Sequence, residues 1–79
     1  MITGAQLRAA RALLGWTQAK LADDAGIGLS TLRRIEASDG PIRAITENVW
    51  KIQRALTEAG VLFLEDDDGG GIGVQFRRG

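Results

Sequence analysis

Three side chains that often perform chemistry are absent from this sequence. None of its 79 residues is cysteine, histidine or tyrosine. Without cysteine the chain can form neither a disulfide framework nor a thiolate metal site, so nothing indicates an oxidising compartment. The usual general bases and nucleophiles are also missing, and the carboxylates, Ser, Thr and Lys that remain stand at surface-like positions. The composition therefore predicts a protein that is not an enzyme and that uses no metal or cofactor.

Long apolar runs are absent as well. No apolar segment approaches the roughly 20 residues that span a bilayer, and the N-terminus lacks the apolar core of a signal sequence. We therefore expect a cytoplasmic protein without membrane contacts. At 79 residues the chain should form one domain. Burying enough apolar surface at this size is marginal without well-packed helices or a partner subunit.

Charge of neither sign predominates. Ten Lys and Arg residues balance ten Asp and Glu residues, so the total charge does not indicate a polyanionic ligand. The distribution is less even, because residues 1–60 hold eight basic and six acidic residues, while residues 61–79 hold two and four. The acidic excess thus lies outside the segment in which helices are predicted.

Apolar periodicity and capping residues predict four helices, at about residues 4–14, 18–25, 29–37 and 46–59. The first begins with a capping box, in which Thr3 is the N-cap and Gln6 returns the hydrogen bond. Gly15, Gly26 and Gly60 follow the ends of the first, second and fourth helices, where glycine adopts the left-handed conformation at the least cost.

The second and third helices meet at a sharp bend. Leu21, Ala22 and Ala25 form the inward stripe of one, and Leu32 and Ile35 form that of the other. The third helix of the chain then turns its outer face to solvent. Four residues form this face: Leu29, Ser30, Arg33 and Arg34. This is the arrangement of a helix-turn-helix, whose second helix enters the DNA major groove by its N-terminal residues.

A gapless run of residues passes through this bend, with x for any residue: Gln18-Ala19-x-Leu21-Ala22-x-x-Ala25-Gly26-Ile27, followed by Ser30-Thr31-Leu32-x-x-Ile35-Glu36. The run resembles the lambda-repressor-like regulators, which include phage repressor and Cro proteins and regulators of the xenobiotic-response-element type. The resemblance extends from about Leu7 to Leu56. It implies a bacterial or phage protein that is mainly α, with a four-helix lambda-repressor-like helix-turn-helix domain.

The resemblance and the helical spacing together predict which residues touch DNA. Arg34 matches a family position that reads bases, and its guanidinium can bind O6 and N7 of guanine. Leu29 and Ser30 are the other predicted base contacts, Leu29 through a thymine methyl group. The predicted phosphate contacts are Thr17, Gln18, Lys20, Arg33 and Arg43. The alternative for Arg33 and Arg34 is a solvated basic face.

Arg11 lies on the inward stripe of the first helix, at i+4 from Leu7, where an apolar residue is expected. It could contact a phosphate, or it could pair with Glu36, since a charge on a packed face is costly unless it is paired. In the resembled family the matching positions form an ion pair between helix 1 and the end of helix 3. We therefore favour a structural ion pair between Arg11 and Glu36.

Beyond Gly60 the apolar pattern changes to that of strands. A short apolar run at 61–64 and an alternating run at 72–77 flank an acidic, glycine-rich turn, which predicts a C-terminal β-hairpin. Both faces of its first strand are apolar, and a lone hairpin is marginal in water. We therefore expect the same element of a second subunit to cover one face. The predicted dimer interface consists of Val61, Leu62, Phe63, Leu64, Val74 and Phe76.

These features predict a DNA-binding domain at 1–60 and a hairpin extension for dimerisation at 61–79. The predicted function is that of a sequence-specific regulator of transcription, a repressor that binds a palindromic operator in double-stranded DNA as a homodimer. The alternative is a protein-interaction module on the same fold, such as an antitoxin or an antiactivator that binds a protein partner. The zero net charge and Leu29 support that alternative.

Overall fold

Four helices followed by a two-stranded hairpin make up the fold. The computed structural model describes residues 2–42, 44, 46–65 and 72–77. The elements are α1 (Gly4–Leu14), α2 (Gln18–Ala25), α3 (Leu29–Glu36), α4 (Thr46–Glu58), β1 (Val61–Glu65) and β2 (Ile72–Phe76). The predicted fold class, mainly α with a C-terminal β-hairpin, is confirmed. The turn was predicted at 65–71, but Glu65 still belongs to β1, and the remaining residues, 66–71, lie outside the described part of the chain.

Local signals set where the helices begin and end. The capping box is present: the Thr3 hydroxyl accepts from the Gln6 N–H at 3.1 Å, and Gln6 Oε1 accepts from the Thr3 N–H at 2.9 Å. Gly26 ends α2 with φ of 73°, a left-handed conformation that costs other residues more. Helix α3 ends at Glu36, one residue earlier than predicted, and Ala37 after it stays right-handed.

Side chains from all four helices meet in one core. Leu7, Leu21, Leu32, Ile52 and Leu56 are fully buried there. Burying each such side chain stabilises the fold by about 1.5–3 kcal/mol relative to leaving it exposed. Because α2 packs against both α3 and α4, this core holds the two helices around the bend in a fixed relation to the rest of the domain.

The hairpin packs one of its faces on the helices. Its strands are antiparallel, with Val61 opposite Phe76 and Phe63 opposite Val74. Val61, which we predicted at a dimer interface, lies instead in the core of a single chain, 3% exposed. Phe63 and Val74 pack partly against that core, and Phe76 is half-buried. The exposed apolar side chains of the hairpin therefore belong not to these residues but to others.

Three large apolar side chains of the hairpin are exposed. Leu62 and Leu64, on the face turned away from the helices, are 52% and 43% exposed. Ile72, which was not among the predicted interface residues, is 53% exposed. Because Ile72 is opposite Glu65, it lies on the same face as Phe63 and Val74. The outer face, with Leu62 and Leu64, is thus apolar and is left uncovered by the described part of the chain.

The N-terminal residues pair with the loop that follows α3. Thr3 forms a β-bridge with Pro41, and the N–H of Gly4 donates to the carbonyl of Gly40 at 3.1 Å. A Cβ atom on Gly4 would lie 1.8 Å from the carbonyl oxygen of Ser38. Only glycine therefore lets the start of α1 approach this loop so closely.

We expect Gly4→Ala to lower the free energy of unfolding by about 1–3 kcal/mol or more, because the added methyl group must push backbone atoms apart. Urea denaturation followed by circular dichroism measures the change. Gly40→Ala is the matched control in the same contact. Its Cβ would meet only the Ser38 Oγ, at 3.8 Å, so its effect should stay within about 0.5 kcal/mol. Equal stability of the two variants would contradict this account.

Candidate nucleic-acid interface

Helix α3 has a buried face and an exposed one. Leu32, Ile35 and Glu36 are buried in the domain. Ser30 and Arg34 are exposed, and because successive residues turn by about 100° around a helix, they lie one turn apart on the opposite side. The helix therefore presents these two side chains outward from the body of the protein.

Two arginines of α3 have guanidinium groups that no carboxylate of the described chain neutralises. Arg8, Arg11 and Arg54 each form an ion pair. Arg33 and Arg34 are exposed and pair with no acidic side chain within residues 2–42, 44, 46–64 and 72–77. Their donors are available to an external acceptor such as a phosphate or the edge of a base.

Leu29 takes a different position from the other predicted base contacts. It is half-buried and packs against the core. The reason is helical spacing, because Leu29 and Glu36 are seven residues apart and therefore lie about 20° apart around the helix. Leu29 thus shares the side of the helix on which Glu36 is buried, and only part of its side chain reaches solvent.

The start of α2 lies beside α3 and carries three of the predicted phosphate contacts. Thr17 is the N-cap, and its hydroxyl accepts from the N–H of Lys20 at 3.0 Å. Lys20 Nζ lies 3.1 Å from a carboxylate oxygen of Asp24 and 5.2 Å from the centre of the Trp16 ring. An exposed pair of this kind contributes about 0–1 kcal/mol, so a phosphate can compete for the ammonium group.

Gln18 connects the beginning of α2 to the end of α3. It is half-buried, and its Nε2 donates to Oε1 of Glu36 at 3.2 Å. The bond ties the first turn of α2 to the last turn of α3. One hydrogen of Nε2 is used within the protein, and the amide nitrogen carries a second.

Arg11 and Glu36 form a buried ion pair between α1 and α3. Arg11 Nε and Nη2 each donate to one oxygen of the Glu36 carboxylate at 2.8 Å, and Nη1 donates to the carbonyl of Trp16 at 3.2 Å. Glu36 is 2% exposed. All three nitrogens of the guanidinium thus have acceptors inside the protein, which favours the structural role of Arg11 over that of a phosphate contact.

Arg8 has a role that our sequence reasoning missed. Its guanidinium donates to the carbonyl of Glu36, to that of Ser38 at 3.4 Å, and to the carboxylate of Asp39. A cation here satisfies the carbonyl groups at the end of α3, which no glycine cap closes. No local pattern could have indicated this contact, because its partners lie 28 to 31 residues away along the chain.

The loop after α3 lies beside Arg34. Arg34, Ser38 and Pro41 line a shallow groove on the surface there. Arg43, the remaining predicted phosphate contact, lies outside the described residues. Within the described ranges, no group of three or more acidic side chains could hold a metal ion together.

Comparison with known families agrees with this geometry. A family model described as Helix-turn-helix matches residues 7–57, about two thirds of the chain. The chain belongs to this family of lambda-repressor-like, DNA-binding regulators of transcription. No individual characterised protein matches it. Among the described helices, none has the length and apolar character needed to cross a membrane.

We expect Arg11→Ala to lower the free energy of unfolding by roughly 3–5 kcal/mol, because it leaves the carboxylate of Glu36 buried without its counter-charge. Chemical denaturation measures the loss. The double variant Arg11→Leu/Glu36→Leu removes both charges and should lose less stability than Arg11→Ala alone. A folded Arg11→Ala protein of unchanged stability would show that the pair contributes nothing.

Proposed function

We propose that this protein is a sequence-specific regulator that binds double-stranded DNA with α3 in the major groove. The observation that carries the proposal is the outer face of α3, where Ser30, Arg33 and Arg34 are exposed while Leu32 and Ile35 anchor the helix in the core. A helix held rigidly with uncompensated guanidinium groups at its surface matches the way recognition helices contact bases and phosphates.

The proposed contacts divide into bases and phosphates. Arg34, directly opposite the buried face, reads guanine through O6 and N7, and Ser30 contacts the neighbouring base. The exposed part of Leu29 touches a thymine methyl group. Arg33 is rotated by about 100° from Arg34 and meets the DNA backbone. The remaining phosphate contacts are Thr17, Gln18 through the second hydrogen of Nε2, Lys20 and Arg43.

We infer further that the protein is a homodimer joined through the hairpin. Five large apolar side chains are exposed in the described part of the chain, and Leu62, Leu64 and Ile72 of the hairpin are three of them. Ile72, opposite Glu65, lies on the face that meets the helices, but Leu62 and Leu64 are neighbours on the outer face and favour a protein interface over scattered surface residues. A second copy that offers the same surface would cover them by two-fold symmetry.

A two-fold dimer would recognise a palindromic operator. Its two α3 helices would enter successive major grooves, with half-sites about 34 Å apart along the DNA. Occupying such a site within a promoter excludes RNA polymerase, so repression is the simplest outcome of binding.

A second candidate function is a protein-interaction module on the same fold. Trp50, on α4, is 59% exposed, and the centre of its ring lies 5.6 Å from the guanidinium of Arg54. This exposed aromatic side chain favours a protein partner, as in an antitoxin or an antiactivator.

Selection of bound sequences from a random double-stranded library tests the proposal. We expect a palindromic consensus, and binding to it in mobility-shift assays should weaken steeply as salt rises. Failure to enrich any sequence, together with no shift at low salt, would contradict DNA binding and favour the protein-interaction module.

Replacing the two exposed arginines one at a time should separate base from phosphate contacts. Arg34→Ala should lose about 1–3 kcal/mol of discrimination at one base pair of each half-site. Arg33→Ala should weaken binding to all sequences alike and lower the salt slope by about 1 per protomer. Titrations on the operator and on single-base variants, at several salt concentrations, measure both effects.

Arg54→Ala is the matched control for these variants. Arg54 is an exposed arginine, but it lies on α4 and pairs with Glu58, so its removal should change neither specificity nor salt slope. Equal effects of Arg34→Ala and Arg54→Ala would contradict base recognition by α3.

The dimer can be tested with charges on the exposed face of the hairpin. We expect Leu62→Lys/Leu64→Lys to sediment as a monomer at concentrations where the wild-type protein is a dimer, because two cations per subunit would be buried on association. Analytical ultracentrifugation measures this. These changes leave the core intact, whereas deletion of the hairpin would remove the buried Val61. Leu13→Lys, at a 47% exposed position of α1, should remain dimeric. A dimeric double variant would place the interface elsewhere.

A further inference from the structure

One buried glutamine joins the helical domain to the hairpin. Gln6 lies in the first turn of α1 and is 2% exposed. Its Nε2 donates to the carbonyl oxygen of Leu64 at 3.1 Å and to that of Gly73 at 2.9 Å. Because Leu64 and Gly73 face each other across β1 and β2, a single amide group holds both strands of the hairpin.

The oxygen of the same amide group connects Gln6, through Thr3, to the loop after α3. Gln6 Oε1 accepts from the N–H of Thr3 at 2.9 Å, and Thr3 forms the β-bridge with Pro41 in the loop that follows α3. The neighbouring N–H of Ile42 donates to the carbonyl of Ile2 at 3.3 Å. A continuous set of hydrogen bonds thus runs from the hairpin through Gln6 to the loop beside the recognition helix.

The hydrogen bonds of Gln6 constrain the angle between the hairpin and the helices, which the other contacts of the hairpin do not. The hairpin otherwise rests on the helices through the apolar side chains of Val61, Phe63 and Val74. Apolar contacts are non-directional, so they hold the hairpin down without defining its angle closely, whereas a hydrogen bond weakens steeply when it is bent. Among the described residues, Gln6 is the only helical side chain that is hydrogen-bonded to the hairpin.

We propose that Gln6 is a positioning residue that sets the orientation of the hairpin relative to α3, and thereby the spacing of the two half-sites that the dimer selects. The inference rests on the proposed function, because it requires dimerisation through the hairpin and DNA binding through α3. In a dimer joined at the hairpins, a tilt of each hairpin moves both recognition helices. The distance between the helices, and hence the preferred spacing, follows that tilt.

Gln6→Glu is the variant that tests the positioning role. Its carboxylate can still accept from the N–H of Thr3, but it offers two carbonyl oxygens an acceptor in place of a donor. Gln6→Met, which removes the donor without adding charge, serves if the first variant does not fold. Thr3→Ala is the matched control, since it removes the other half of the capping box at the same helix start and leaves the Gln6 bonds to the hairpin in place.

The first measurement is a spacing selection. A DNA library carries two copies of the selected half-site, separated by variable lengths, and binding is compared with that of a single half-site. Simultaneous engagement at the preferred spacing should strengthen wild-type binding on the order of 10²-fold or more. With Gln6→Glu, most of this gain in affinity should be lost, and the gain that remains should be similar at several spacings instead of one. Its affinity for the single half-site should be unchanged. Thr3→Ala should keep the wild-type profile.

A wild-type spacing profile in a folded, dimeric Gln6→Glu protein would overturn the inference. So would the same broadening in Thr3→Ala, because it would trace the effect to the stability of α1. Wild-type protein that binds no half-site would overturn the proposed function, and the claim about spacing with it.

The second measurement needs neither DNA nor the dimer. Because the chain has no cysteine, Asp23→Cys on α2 and Ile72→Cys on β2 can be spin-labelled selectively, and dilution with unlabelled protein confines the measured distance to one chain. Both positions are exposed. We expect a narrow distance distribution in the wild-type background and with Thr3→Ala, and a broader or shifted one with Gln6→Glu. An unchanged distribution with Gln6→Glu would overturn the positioning role itself.

Discussion

The carboxylate of Glu36 is the point on which the geometry of α3 depends. It lies in the interior, 2% exposed, and its two oxygens receive hydrogen bonds from Arg11 of α1 and Gln18 of α2. A charge in such a place is tolerated only with its full set of partners. Satisfying that requirement joins three helices at one residue. It also places the end of α3 so that the opposite face of the helix must point to solvent.

Hydrogen bonds to backbone carbonyls extend this arrangement outward. Arg8 binds the carbonyl of Glu36 and the loop beyond it, and Gln6 binds both strands of the hairpin. Both side chains project from the first two turns of α1. That helix therefore supports α3 on one side and the hairpin on the other, and none of its residues is among the proposed DNA contacts.

The sequence was informative wherever neighbouring residues decide the conformation. The capping box at Thr3, the left-handed Gly26 and the four helices depend on residues a few positions apart, and all were predictable. Helical spacing alone predicted that Ser30, Arg33 and Arg34 are exposed. The same helical spacing also places Leu29 near Glu36, which is seven residues further along the chain. The prediction that Leu29 faces the DNA groove did not take this spacing into account.

Contacts between distant parts of the chain were not predictable in this way. The sequence predicts the capping bond of Gln6 to Thr3, which is local, but not its bonds to Leu64 and Gly73, which lie 58 and 67 residues away. Period-2 alternation identified two faces of the hairpin but not which one meets the helices. Val61 was therefore assigned to an interface between subunits, although it belongs to the core.

The separation of tasks along α3 has a consequence for how such a protein can diverge. Leu32, Ile35 and Glu36 anchor the helix, and none of the hydrogen bonds or ion pairs of the described chain uses the side chains of Ser30, Arg33 or Arg34. Exchanges at exposed positions of this kind usually alter stability by about 0.5 kcal/mol or less. Under the proposed function, gene duplicates could therefore acquire new target sequences by substitutions at the codons of Ser30 and Arg34 while the scaffold stays under unchanged selection.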